Sequence, residues 1–460
     1  MFQRERPSDR PWRNRSQVAN PFSHTALFCA PFLVCCGLVA SPQVRAEDMR
    51  ESDRTLAYVM LRDLQKEIER VYYDPNFKGA DIAANAALAK SRISKSSAIG
   101  EAWSAIAQFT LDMDDSHTFF VPPSQTVQVD YGWDMEVIGD ACYIIRVREG
   151  SDAARQRVHP GDMVKGVNGL QPNRENLWRL EYIFKLLQPQ PGLHVELVTP
   201  AGITRELDLA AQVHKRKKVM DLTGSDGGSD IARLSEEGEK QRKSIRPVAF
   251  ELSDQIYIVR LPSFLAGRES VRQVLRSARG HEVLILDLRG NGGGDLETLK
   301  ALVGYLEPGE VTIGSYQSRE RRVPIAAKGA PQDVFSGRVF VLVDAQSASA
   351  SELLARTIQL TNRGTIIGDR TAGAVMTARL SPLRATHGEN IILYGAEVTV
   401  GDVIMSDGAR LEKVGVEPDF KTLPTADDLA NNRDPALAQA LKFAGHPLDS
   451  TTAGALTYSH

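Results

Sequence analysis

Three short stretches hold residue types that can do chemistry together. Asp287-Leu-Arg-Gly-Asn-Gly-Gly-Gly294 and Ser347-Ala-Ser-Ala-Ser-Glu352 each follow an apolar run, and Leu111-Asp-Met-Asp-Asp-Ser-His-Thr-Phe-Phe120 sets a histidine behind acids. A glycine run can turn backbone N–H groups toward a negative oxygen. The first stretch is no phosphate loop, because Asp295 follows the glycines where a Lys-Ser/Thr pair would have to stand. A serine at a helix start can be an exposed nucleophile, with the next N–H facing the oxyanion it creates. Ser349 with Glu352 three residues on also spells a helix capping box, which needs no catalysis. His117 is the candidate base; a surface histidine beside acids is the plain alternative. The 9 histidines show no metal-ligand spacing.

The elements that must position these residues are legible in part. Leu56, Val59, Met60, Leu64, Ile68 and Val71 recur at helical spacing, and Tyr72-Tyr-Asp-Pro75 ends that helix. Short helices continue to Leu111, so a helical unit over 47–125 is expected. Residues 126–213 turn to β character, with a short helix at Ser151–Arg155 and another at Glu175–Leu187. Residues 214–245 are polar and charged and read as a linker or insertion. From Pro247 the runs Ile256–Leu261, Val283–Leu286 and Val339–Val343 have the continuous apolar character of strands covered on both faces. Amphipathic segments alternate with them, so 246–425 is expected to be an α/β layer with mostly parallel strands, and 426–460 a C-terminal tail.

Composition limits what the whole chain can be. In 460 residues, Lys plus Arg number 55 and Asp plus Glu 58, a net charge of −3 that excludes a strongly basic nucleic-acid binder. The 4 cysteines cannot build a disulfide scaffold. Arg4, Arg6, Arg10, Arg13 and Arg15 precede an apolar core from Ala26 to Ala40 and a Val-Arg-Ala46 ending. That pattern predicts a secretory signal peptide over 1–46, cut after Ala46, with an uncleaved anchor as the alternative. Cleavage would leave Cys142 as the one cysteine and a net charge of −7.

In combination, these stretches resemble the C-terminal processing, or tail-specific, serine peptidases. Ile285–Gly294 and Val343–Glu352 are similar to that family's two core motifs, and Gly368-Asp-Arg-Thr-Ala-Gly373 and Gly415-Val-Glu-Pro-Asp419 to later ones. Gly132-Trp-Asp-Met135, Ser151-Asp-Ala-Ala154 and Pro160–Gly169 resemble the PDZ domain those peptidases carry. The resemblance implies a ClpP/crotonase-like layered α/β catalytic core with a helical N-terminal unit and a PDZ-like β domain. One departure is decisive for mechanism. The family's catalytic lysine stands in a Thr-Phe-Gly-Lys motif, and here that stretch reads Thr371-Ala-Gly-Ala374.

The tricorn-like branch of the superfamily uses a Ser-His pair instead, with a second serine and a glutamate behind the histidine. Ser116-His117 and Glu412 match those positions, so the resemblance implies Ser349 as nucleophile, His117 as base, and Glu412 acting through Ser116. It also implies N–H groups of Gly293 or Gly294 and of Ala350 as the oxyanion site, and no metal or organic cofactor. Carboxylates behind the imidazole should favour its charged form and set the acidic limb of activity around neutrality. Gly132, Trp133, Asp134 and Met135 occupy the PDZ carboxylate-loop position, where Trp133 is expected to narrow the loop and Asp134 to repel a terminal carboxylate. The expected partner is a peptide or protein substrate, outside the cytoplasm. Two rivals stand beside this: an inactive binding protein on the peptidase scaffold, and a crotonase-type acyl-CoA enzyme.

Overall fold

The computed structural model describes residues 49–124, 127–215, 244–329, 331–388 and 390–457. The signal-peptide segment 1–46, and the polar segment except at its margins, lie outside the described residues. Helices α1 (Glu51–Val71), α2 (Ile82–Lys95) and α3 (Ile99–Leu111) open the chain. Met60, Leu64 and Ile68 of α1 are buried against Ile93 and Ile106, as their spacing predicts. Tyr72 closes α1 in extended conformation, and Asp81 caps α2 by accepting the Ala84 N–H.

Strand β1 (Phe119–Val121) follows the histidine turn. Next, β2 (Val127–Asp130) leads into a five-stranded antiparallel sheet of β3 (Trp133–Ile138), β4 (Ala141–Val147), β5 (Met163–Val167), β6 (Gly192–Val198) and β7 (Thr204–Ala210), in that order, and β8 (Gln212–Lys215) returns to pair with β2. Helices α4 (Asp152–Arg155) and α5 (Leu177–Tyr182) belong to this β unit, and Cys142 is buried in its core.

The next unit starts with β9 (Val248–Ser253), β10 (Ile256–Arg260), α6 (Arg268–Ser277), β11 (Val283–Asp287) and α7 (Leu296–Leu306). It continues through β12 (Glu310–Gln317), β13 (Arg322–Lys328), β14 (Arg338–Val343), α8 (Ala350–Thr361) and β15 (Gly364–Gly368). A long hairpin of β16 (Thr377–His387) and β17 (Asn390–Met405) precedes β18 (Phe420–Lys421). The main sheet runs β18-β15-β14-β11-β10-β9, parallel except for the β9 edge. Successive residues of its strands face opposite ways: Leu284 and Leu286 pack under α6, α7 and α8, and Val283 and Ile285 face the other layer.

That other layer comes from residues set apart in sequence as a tail. They form α9 (Ala426–Ala430), α10 (Pro435–Phe443) and α11 (Ser450–Thr457), and Leu437, Ala440 and Leu441 cover the second face of the sheet. A second sheet, β1-β17-β12-β13 with β16 on β17, bridges the helical unit and the α/β layer. Its Tyr394, Ala396 and Val398 pack on α1 and α3, and its Ile313, Val403 and Met405 pack with α7. Among the described residues, no helix is long and apolar enough to cross a membrane.

Candidate active site

The serine turn and the glycine loop leave neighbouring parallel strands, β14 and β11, at the same edge of the sheet. Ser349 is the N-cap residue of α8 and sits at φ 54°, ψ −117°, a conformation that costs a non-glycine residue about 1–3 kcal/mol. Glu352 holds it there. This carboxylate is fully buried and accepts the N–H groups of Ser349 at 3.0 Å, Gly373 at 2.7 Å and Ala374 at 2.9 Å, and the Thr371 hydroxyl at 2.6 Å. The spacing suggested a capping box, which forms; Glu352 also fastens the strand-end segment 371–374 to the serine. Burial raises its pKa, and those donors pull it back in part.

Asn291 joins the two loops, a role sequence reading missed. Its side chain donates to Leu261 O at 2.7 Å and accepts the Gly293 N–H at 2.8 Å, and its carbonyl accepts Ala348 N and Ser351 Oγ, each at 2.9 Å. Of the expected oxyanion donors, Gly293 is therefore already engaged. Among the described residues the Gly294 and Ala350 N–H groups have no acceptor, and Ala350 opens α8, where an intrahelical one is impossible. Gly293 must be glycine for space, since a Cβ there would lie 2.6 Å from Ser349 Cβ. Asp287 and Arg289 are structural: Arg289 pairs with Asp287 and with Asp434, each at 2.8 Å.

The histidine arrives from the turn between α3 and β1. Ser116 Oγ lies 2.6 Å from His117 Nδ1 and donates to Glu412 Oε2 at 2.9 Å. A hydroxyl has one proton; with it given to Glu412, Ser116 accepts from Nδ1–H, and Nε2 is left with its lone pair. Glu412 also accepts the Ser116 N–H at 2.9 Å and the Val375 N–H at 3.0 Å. The adjacent Ala374 carbonyl accepts the Ser349 N–H at 2.9 Å, so one segment carries both the glutamate and the serine turn. Among the described residues no hydrogen bond joins the Ser349 hydroxyl to the His117 ring. Burial lowers the His117 pKa below the ordinary 6.5, with Glu412 and Asp115 opposing in part. The expectation that the carboxylates would favour the charged imidazole is corrected: desolvation outweighs them.

The lysine position is Ala374, and Lys413, the next lysine along, pairs with Asp114. In the β unit, Gly132 sits at φ +76°, with its N–H on Asp130. Trp133 and Met135 point into that unit's own core, so Trp133 does not narrow a binding loop. Asp134 is met by Arg146 at 2.6 Å and Arg148 at 3.4 Å, which offsets the repulsion expected of it. β3 is nonetheless an edge strand of its sheet.

Residues 255–422, which contain the glycine loop, the serine turn and Glu412, match the sequence profile of Peptidase family S41. Over those residues the chain is similar to the family S41 peptidases. A tail-specific protease of Haemophilus influenzae is 29% identical over 280 residues, 56% of this chain and 36% of that protein. Carboxyl-terminal-processing peptidase 2, chloroplastic, of Arabidopsis thaliana is 26% identical over 372 residues, 76% of this chain and 66% of that protein. The chain thus spans about a third of the first relative's length and just under two thirds of the second's. The crystal structure of mature CPAF superposes with a TM-score of 0.61 at 16% identity, covering 82% of this chain and 94% of that one, a likeness of fold. The matched region begins after the His117 turn, so the Ser116–His117 pair comes from outside it.

Proposed function

We propose that this chain is an exported serine endopeptidase of the S41 type, in which a Ser-His-Ser-Glu arrangement replaces the Ser-Lys dyad. The observation that carries the reading is the chain of hydrogen bonds from Glu412 through Ser116 Oγ to His117 Nδ1, which leaves Nε2 free to take a proton. In the reaction, Ser349 Oγ attacks a peptide carbonyl and His117 Nε2 takes its proton. The tetrahedral oxyanion is received by Gly294 and Ala350 N–H groups, and His117 returns the proton to the leaving amine. Water then repeats the sequence on the acyl-enzyme. Glu412, through Ser116, fixes the tautomer and stabilises the imidazolium, as the third member of a triad does. Nucleophile–base hydrogen bonds are often long in a substrate-free enzyme and tighten on binding.

The β unit supports substrate delivery: β3 presents a sheet edge to which a peptide strand can add, as in PDZ domains. Export follows from the Arg-rich segment, apolar core and Val-Arg-Ala46 ending, and protein recovered outside the cytoplasm should begin at Glu47. The absence, among the described residues, of a hydrogen bond between the Ser349 hydroxyl and the His117 ring favours a second reading, an inactive peptidase-fold binding protein. Fluorophosphonate labelling separates the two. Wild type should be labelled and Ser349→Ala should not; an unlabelled, folded wild type that binds a hydrophobic ligand or peptide would establish the binding reading instead.

A further inference from the structure

We propose that Asp115 is a positioning residue for the reaction, holding the turn that delivers His117 and supplying a second negative charge beside its ring; this rests on His117 being the base. Asp115 is 5% exposed, and its carboxylate is surrounded by donors from three parts of the chain. Oδ1 accepts the N–H of His117 itself at 3.0 Å, the N–H of Thr118 at 2.7 Å and the Thr399 hydroxyl of β17 at 2.9 Å. Oδ2 accepts the Tyr72 hydroxyl at 2.8 Å and the Thr118 hydroxyl at 3.1 Å. The end of α1 is bound to the same place by Tyr73 N–H on Thr399 O at 3.1 Å. The helical unit therefore braces the base, a role its sequence did not suggest.

Every one of these donors is neutral, and among the described residues Asp115 has no ion pair. A buried carboxylate without a counter-ion is a costly way to hold a turn, since a neutral amide could accept the same backbone N–H groups. What the amide could not provide is charge, and a second acceptor oxygen for the Tyr72 and Thr118 hydroxyls. When His117 takes the serine proton, its ring becomes positive within the field of Asp115, whose charge favours that state. The other charged and titratable groups around the turn are Glu412, the Asp114–Lys413 ion pair, Lys78, Arg179, Tyr72 and Tyr73. Lys413 already pairs with Asp114, so it does not neutralise Asp115. The two carboxylates act by different routes, Glu412 through the Ser116 hydroxyl and Asp115 through the His117 backbone and its field.

The test uses Asp115→Asn and Tyr72→Phe in the full mature chain, read as kcat, KM and pH profile on a peptide substrate. Asp115→Asn keeps the shape, removes the charge and turns the Oδ2 acceptor into a donor; kcat should fall about ten- to hundredfold with KM unchanged, and the acidic limb, which reports the charge, should move to lower pH. Tyr72→Phe keeps the charge and removes one brace; kcat should fall severalfold with the limb in place. Wild-type kcat and an unmoved limb in Asp115→Asn would overturn the proposal, and if that variant does not fold, wild-type kcat in Tyr72→Phe would do so. Failure of the underlying reading looks different: wild type unreactive toward fluorophosphonate, or His117→Ala fully active.

Discussion

Burial and charge pull the His117 imidazole in opposite directions. Desolvation is the larger effect, ahead of Glu412 and Asp115, and the pKa lies below 6.5. A general base must be neutral, so a lowered value keeps it competent to more acidic pH. The acidic limb of kcat/KM should therefore fall below pH 6.5, and Glu412→Gln, which removes a charge that raises the value, should shift it lower and reduce the rate. A limb at or above the ordinary value would contradict the burial argument. The sign for stability is the same: the unfolded chain binds this proton more tightly, so acid also destabilises the fold. An unfolding midpoint followed over the same range separates the two effects. The serines of the turn are equally distinguishable. Ser351 is fully buried and donates to Asn291 O, and Ser347 donates to Leu288 O. Ser351→Ala should cost about 1 kcal/mol of stability and keep fluorophosphonate labelling. A folded Ser351→Ala that no longer labels would move the nucleophile off Ser349.

At the scale of elements, the proposed Ser-His pair turns on the 371–374 segment, where Ala374 stands in place of the family's lysine. Ala374 N–H is held by Glu352 and its carbonyl by Ser349, so the backbone at this position is fixed. If activity depends on His117, Ala374→Lys should give no gain in peptide hydrolysis, because the proton already has an acceptor. A large gain, persisting in His117→Ala, would identify a decayed Ser-Lys enzyme. What sequence could show here follows from where partners lie. The main sheet was legible because strands covered on both faces read as unbroken apolar runs. The β16–β17 hairpin was not, since Leu380, Ile391 and Leu393 are apolar yet exposed while Tyr394, Ala396 and Val398 are buried, and alternation without a polar phase leaves no period to read. The helices after Ala426 went unread because small residues such as Ala436, Ala440 and Ala444 make the buried stripe. The candidate site was named by motif order, from resemblance. The roles of Asn291 and Asp115, and the hold of Glu352 on 371–374, escaped because the partners are brought by folding, such as Thr399 to Asp115 and Thr371 to Glu352.

At the scale of the molecule, the β unit is fastened to the peptidase layer beside the serine turn. Arg174 pairs with Asp369 at 2.7 Å and donates to Arg370 O at 2.8 Å, and Gly139 N–H reaches Asp369 at 2.8 Å. Close by, Glu136 of β3 meets Asp344, the residue that follows β14 and leads into the serine turn. Asp344 accepts N–H groups of Gly290 at 2.8 Å, Ser347 at 2.9 Å and Gln346 at 3.0 Å. Burial raises the Asp344 pKa and those donors pull it back in part, which leaves Glu136 the more strongly raised of the two acids. Burial foremost, and then the Asp344 charge, raises the Glu136 pKa well above 4.5. A raised carboxyl value means that docking is supported below it and weakened as pH rises through it, when two carboxylates face each other with Arg289 as the nearby cation. Hydrogen exchange at the β3 amides should accelerate as pH is raised, beyond the intrinsic chemical rate. Glu136→Gln, a neutral isostere that can donate to Asp344 at any pH, should abolish that excess. An identical pH dependence in wild type and Glu136→Gln would mean that the acid pair does not control docking, leaving the Arg174–Asp369 bridge as the fastening.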